Sequence, residues 1–164
     1  MDVNEHILRR IKKNIERVKN MKIGFGCDPN AAELKNALIS TVEELGHEVI
    51  DYGSEDPIYF NVAKDVAEAV VRKEVDRGIV ICGTGIGISI SANKVKGAYC
   101  ALVTNVYQAQ RAQLSNNANM MALGSQVTGI QLAQELVKEY LKHTFDPESR
   151  SKPKVDRISS YEVE

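Results

Sequence analysis

The stretch Val80–Lys94, VICGTGIGISISANK, puts a cysteine at the end of an apolar run and follows it at once with Gly83, Gly85 and Gly87. This spacing is neither the G-x-G-x-x-G of a dinucleotide fold nor a P-loop, because no Gly-Lys-Ser/Thr closes it. Such a turn lets several backbone N–H groups face one anionic atom where a helix begins. A cysteine beside that positive end has its thiolate form favoured. A base next to an oxyanion cradle is what removing a proton alpha to a carbonyl, through an enediolate, requires. A plainer reading fits the same residues, with Cys82 as a small buried hydrophobe. Cys27 and Cys100 suit the plainer reading better: Cys100 lies mid-strand and Cys27 precedes the more polar Asp28.

The elements that must position this loop alternate in kind. MKIGFGCD, HEVIDYG, RGIVICG, AYCALVTN and ANMMALGS read as short apolar strands. Between and after them, AAELKNALISTVEELG, FNVAKDVAEAVVRKE, GISISANKVK, VYQAQRAQLSNN and GIQLAQELVKEYLKHTF read as helices. Strands that alternate with helices and are apolar throughout predict a doubly wound, Rossmann-like α/β domain: a five-stranded parallel sheet with helices on both faces. Ligands of such sheets bind at the carboxyl ends of the strands. Asp28, Cys82, Gly83, Thr84, Thr104 and Asn105 are placed there. Ahead of the domain (21–145), residues 1–20 form an amphipathic, basic helical extension with Ile7, Ile11, Ile15 and Val18 along one stripe. It is expected to pack on the domain or on a partner subunit. Residues 146–164 are a polar tail, either disordered or wrapped on a neighbour.

The totals exclude several classes. The 164 residues suit one domain with a core that needs no staples. A net charge of −1 provides no field favouring nucleic acid or an anionic membrane. No apolar run approaches the ~20 residues that span a bilayer. The first 20 residues carry many charges and no apolar stretch of the secretory kind. Three cysteines in apolar runs suit reduced thiols and a cytoplasmic location. His6, His47 and His143 lack metal-ligand spacing, so no metal is expected. No C-x-x-C supports a redox role.

GIVICGTGIGISISANKVKG resembles the signature of the ribose-5-phosphate isomerase B / galactose-6-phosphate isomerase family. MKIGFGCD, GHEVIDYG and NNANMMALGSQVTG resemble its first, second and fifth strand segments, so the resemblance runs from about Met21 to Ile158. It implies interconversion of an aldose and a ketose phosphate through a cis-enediolate, without metal or other cofactor. It also implies a homodimer or homotetramer with sites between subunits. By position, the resemblance makes Cys82 the base between C1 and C2 and Thr84 a hydroxyl near the substrate oxygens. The backbone of Gly83, Gly85, Ile86 and Gly87 becomes the anion hole. Asp28 and Tyr59 line the sugar pocket, Ser115 and Asn116 fall on a substrate-binding pair, and Arg150 and Lys154 on a phosphate clamp.

This chain departs from the pattern in several places. Pro29 and Ser115 stand where the family has histidines, Gln126 where better-known members have arginine, and Lys154 where the second clamp arginine sits; the loop before Tyr59 is also shorter. Lysine binds phosphate as a point charge, without arginine's fork. The histidine missing at Ser115 is the one credited with opening the sugar ring, and serine does not titrate near neutral pH. A four-carbon sugar 4-phosphate has no ring to open, which suits the erythrose/erythrulose 4-phosphate pair. The rival substrates are a pentose 5-phosphate (ribose/ribulose) or a hexose 6-phosphate whose ring opens spontaneously or through Asp28 or Thr84. A second function class is a phosphosugar-binding relative that is non-catalytic or active only with a different partner chain.

Overall fold

The computed structural model of the chain describes residues 3–162, and side chains for all of these but 13–19. Residues 1–2 of the expected extension and 163–164 of the expected tail lie outside it. In chain order the elements are α1 (Val3–Lys19), β1 (Lys22–Cys27), a 3-10 turn (Pro29–Ala31), α2 (Ala32–Glu44), β2 (Glu48–Asp51), α3 (Tyr59–Val71) and β3 (Arg77–Cys82). They continue with α4 (Ile86–Ala92), β4 (Cys100–Leu102), α5 (Val106–Leu114), β5 (Met120–Gly124), α6 (Ile130–Lys142) and α7 (Lys152–Tyr161).

The five strands form one parallel sheet in the order β2-β1-β3-β5-β4. All six residues of central β3 are buried, as a strand covered on both faces requires. Alternation splits them. Ile79 and Ile81 join a core with Leu38 of α2, Ala109 of α5 and Leu136 of α6, while Val80 and Cys82 join one with Val66 of α3 and Ile88 of α4. Cys82 therefore faces α3 and α4. The chain leaves β1 towards β2 on one side and returns to β3 on the other. The loops after β1 and β3 consequently part, and the crevice between them is where such sheets bind ligands.

The two flanking segments are both helical in the described residues. The tail is ordered into α7, which docks on the domain by polar contacts: Tyr99 Oη bonds Ser159 Oγ at 3.2 Å and Glu162 Oε2 at 2.9 Å. On α1 the described apolar side chains Val3, Ile7, Leu8 and Ile11 are exposed, and Ile15 and Val18 of the stripe lie outside the described side chains. The helix is tethered through Arg10, which meets Asp146 at 3.4 Å and Glu148 at 3.1 Å. The expected helix over 87–96 stops at Ala92 because Asn93 turns the chain. Its side chain accepts the Cys100 N–H at 2.8 Å and donates to the Cys100 carbonyl at 2.9 Å.

Candidate functional site

The cysteine loop is held by the end of the neighbouring strand. Cys82 pairs with Gly124 in the ladder; beyond it, the Ser125 N–H donates to the Cys82 carbonyl at 2.8 Å and the Gln126 N–H to the Gly83 carbonyl at 2.9 Å. The chain then turns sharply at Gly85, whose φ of +78° suits glycine. A Cβ there would lie 2.7 Å from Leu102 Cδ1 and 2.8 Å from the Leu123 carbonyl carbon, so β5 also leaves no room for one. The turn aims the Gly85 N–H at Cys82 Sγ, 3.1 Å away, an interaction that strengthens when the sulfur carries charge. Thr84 Oγ1 accepts the Ile86 N–H at 3.3 Å, at the start of α4. Among the described residues nothing accepts the N–H groups of Gly83 and Thr84.

Two further residues reach this end of the sheet. Asp28 follows β1 in extended conformation, is 7% exposed, and accepts the Asn30 N–H at 3.0 Å. Its own N–H donates to the Ile81 carbonyl at 3.3 Å, which ties it to β3 one residue before Cys82. Behind it, the buried Lys35 ammonium holds both oxygens of Asp51 at 2.7 and 2.8 Å. Asp51 in turn accepts the Gly53 N–H at 2.9 Å, and the Gly53 carbonyl accepts that of Cys27 at 3.1 Å. Tyr59 opens α3, set by Asp56, which accepts the Ile58 N–H and the Asn61 amide, both at 2.8 Å. Those two bonds hold the Asp56 carboxyl below the usual carboxylate range. The Tyr59 ring lies on Gly87, where a Cβ would come within 2.5 Å of Cζ.

The other thiols have no such setting. Burial pushes Cys27 up to about 11 and Cys100 up to about 12, which leaves both protonated at neutral pH.

Within one chain the remaining expected residues lie elsewhere. Ser115 and Asn116 precede Met120, at the amino end of β5, whereas Cys82 pairs with Gly124 at its carboxyl end. Four residue steps along a strand separate the two ends by about 13 Å. Arg150 and Lys154 bracket the start of α7. The groove of about 320 Å³ between α7 and the edge of β4 is lined by Asn116 together with Tyr99, Cys100, Val155 and Ile158. So Cys82, Thr84, Asp28, Tyr59 and the glycine turn meet at one edge, while Ser115 and Asn116 share the opposite edge with α7. Reading the sequence for chemistry overlooked Arg111, whose Nε donates to Ser115 Oγ at 2.6 Å; the i, i+4 spacing of the two residues was the available signal. Gln126, noted only as a departure, places its amide carbon 3.4 Å from where a Gly83 Cβ would stand, at the mouth of the loop.

The family model described as Ribose/Galactose Isomerase matches residues 23–158. The chain is 42% identical to D-erythrulose-4-phosphate isomerase 2 of Mycolicibacterium smegmatis, over 87% of this chain and 97% of that protein. It is 41% identical to ribose-5-phosphate isomerase B of Escherichia coli, over 86% and 96% respectively. Among solved structures, ribose-5-phosphate isomerase B of Clostridium thermocellum superposes with a TM-score of 0.82 at 43% identity, covering 87% of this chain and 98% of that one.

Proposed function

The chain belongs to the ribose/galactose isomerase family, and we propose that it interconverts an aldose and a ketose phosphate with Cys82 as the base. The observation that carries this reading is the Gly85 N–H held 3.1 Å from Cys82 Sγ, inside a turn whose Gly83 and Thr84 N–H groups have no acceptor among the described residues. The thiolate takes the proton from the carbon next to the carbonyl, and the C–H electron pair becomes the C=C bond of an enediolate. The charge that develops on the former carbonyl oxygen is taken by the Gly83 and Thr84 N–H groups, which have no acceptor among the described residues. Cys82 then returns the proton to the neighbouring carbon. Thr84 Oγ1 accepts from Ile86 and keeps its own hydrogen for a substrate oxygen, which suits it to the proton exchange between O1 and O2. Asp28 and Tyr59 bind the sugar hydroxyls beside the base.

The complete site needs a second copy. Asn116 and the α7 cations are on the far edge of the same chain, so their contribution to substrate binding comes across a subunit interface. A homodimer is the smallest assembly that closes the site.

For the substrate we favour a four-carbon sugar 4-phosphate. Pro29 carries no titrating group, and Ser115, whose Oγ accepts from Arg111 at 2.6 Å, offers only a hydroxyl that does not titrate near neutral pH. Neither replaces a histidine as acid/base at a ring oxygen, and a four-carbon sugar 4-phosphate has no ring. Near-equal identity to the relatives named for erythrulose 4-phosphate and ribose 5-phosphate keeps the pentose as a second substrate reading. Turnover of erythrose 4-phosphate, ribose 5-phosphate and galactose 6-phosphate, followed by proton NMR, tests both. Turnover of the four-carbon pair alone is expected. Faster turnover of ribose 5-phosphate transfers the assignment to the pentose, and turnover of none of them favours a binding protein.

A further inference from the structure

The corner at Ser115 raises a question that the loss of a titrating group leaves open: what this chain puts there instead. Arg111, one turn earlier on α5, is half-buried and donates through Nε to Ser115 Oγ at 2.6 Å. The same residue's carbonyl accepts the Asn116 amide at 2.9 Å, so the three side chains form one unit at the end of the helix. Among the described residues nothing pairs with the two terminal nitrogens of Arg111. Other cations of the chain do meet carboxylates: Arg10 with Asp146 and Glu148, Lys35 with Asp51, Arg72 with Glu68 and Glu74. The buried Arg77 spends its guanidinium on the carbonyls of Tyr140 and His143, at 2.7 and 2.6 Å. Arg111 is thus a partly desolvated guanidinium oriented by one bond and left with its fork open.

From this we infer that Arg111 is a substrate-binding residue that takes the phosphate group, with Ser115 as the residue that positions it. A guanidinium cannot pass on a proton, and it presents paired N–H donors in the geometry of a phosphate edge. The corner then acts as a fixed cationic clamp rather than as an acid/base. The inference rests on the isomerase reading above, because the phosphate it binds is that of a substrate whose reacting carbons lie at the partner's Cys82. It also ties the replacement at Ser115 to substrate choice: a short open-chain phosphate keeps its charge close to the reacting carbons and leaves no ring oxygen to serve.

The test compares wild type, Arg111→Met, Arg111→Lys and Ser115→Ala in steady-state kinetics, with inorganic phosphate as competitive inhibitor. Calorimetric titration with inorganic phosphate runs alongside. Losing a bidentate charged contact is expected to raise KM and the phosphate inhibition constant together, by about tenfold to a hundredfold, with kcat within about threefold. Arg111→Lys keeps the charge without the fork and falls between. Ser115→Ala, which frees the guanidinium, shifts both constants in the same direction by about two- to fivefold. A role confined to the helix end, where a cation complements the dipole, would lower the melting temperature and leave the phosphate constant alone. KM and phosphate inhibition within twofold of wild type in Arg111→Met would overturn the inference. So would a loss confined to kcat, which would place Arg111 at the enediolate instead. If wild type turns nothing over, the isomerase reading fails, and the calorimetric difference between wild type and Arg111→Met still decides whether Arg111 binds phosphate.

Discussion

Replacing Gly85 by alanine perturbs the proposed active site at the point where its geometry is most tightly determined. The residue has φ +78°, and a left-handed conformation costs an L-residue roughly 1–2 kcal/mol. The added Cβ would stand 2.7 Å from Leu102 Cδ1, 2.8 Å from the Leu123 carbonyl carbon and 3.0 Å from the Gly124 nitrogen. Two of those three neighbours are backbone of a buried strand, so the turn has to move rather than the neighbour. Overpacking of this kind costs roughly 1–3 kcal/mol, for a total of about 2–5 kcal/mol. In a chain of this size that lowers the melting temperature by roughly 5–15 °C. The functional loss should exceed the loss of stability. The displaced turn carries the N–H that bonds Cys82 Sγ, and a misplacement of about 1 Å can cost on the order of a hundredfold in rate. Calorimetry gives the first number, and kcat measured well below the melting temperature gives the second. A Gly85→Ala protein that melts within about 2 °C of wild type and keeps kcat within threefold would show that the turn does not position the chemistry.

Three further outcomes follow from contacts around the site. Gly87→Ala pushes on the Tyr59 ring, which is 40% exposed and can swing into solvent; stability should change by less than about 1 kcal/mol while KM rises severalfold, read by urea unfolding and by kinetics. The Lys35–Asp51 pair is asymmetric, with side-chain exposures of 3% and 43%. Asp51→Ala, which strands a buried ammonium, should therefore cost about 3–4 kcal/mol, against about 1–2 kcal/mol for Lys35→Met, and the reverse order in urea midpoints would contradict this. His47 accepts the Met21 N–H at 3.2 Å, and burial, followed by the charge of Arg77, lowers its pKa below 6.5. The unfolded chain then takes up this proton more readily than the folded one. The contribution is full above about pH 6.5 and is lost as the pH falls below it, at up to ~1.4 kcal/mol per pH unit. His47→Gln should lose that acid sensitivity, as seen in urea midpoints at pH 7.5 and 5.5.

Much of this was legible along the chain because it is local. Strand periodicity, the glycine turn and its cysteine lie within a few residues of each other, and the parallel sheet follows from alternating apolar runs and helices. What the sequence did not disclose depends on contacts distant along the chain. The order β2-β1-β3-β5-β4 is decided by which helix covers which face, and nothing in any one strand states it. The polar tail reads as disordered or wrapped on a neighbour, because no residue of its helix is buried; that Tyr99 and the Gly97 N–H hold Glu162 at the end of α7 depends on contacts distant along the chain. The stripe on α1 reads as a face that packs on the domain or on a partner subunit; within one chain Ile7 and Ile11 stay exposed, and the contact with the domain runs through Arg10. Ser115 could be recognised as a missing titrating group, but that its hydroxyl orients Arg111 appears only once the helix end has formed. The separation of Asn116 from Cys82 likewise needs the register of β3 on β5.

The central claim is that Cys82 moves a proton on a sugar-phosphate carbon. Its most direct test is wash-in of deuterium from solvent into the exchangeable C–H of erythrose 4-phosphate, followed by proton NMR for wild type and Cys82→Ala at equal folded concentration. Removing a positioned base costs about 10²–10⁴ in rate, so the variant should lose exchange and isomerisation together while keeping its fold. Exchange in Cys82→Ala within tenfold of wild type would contradict the account and assign the proton to another group.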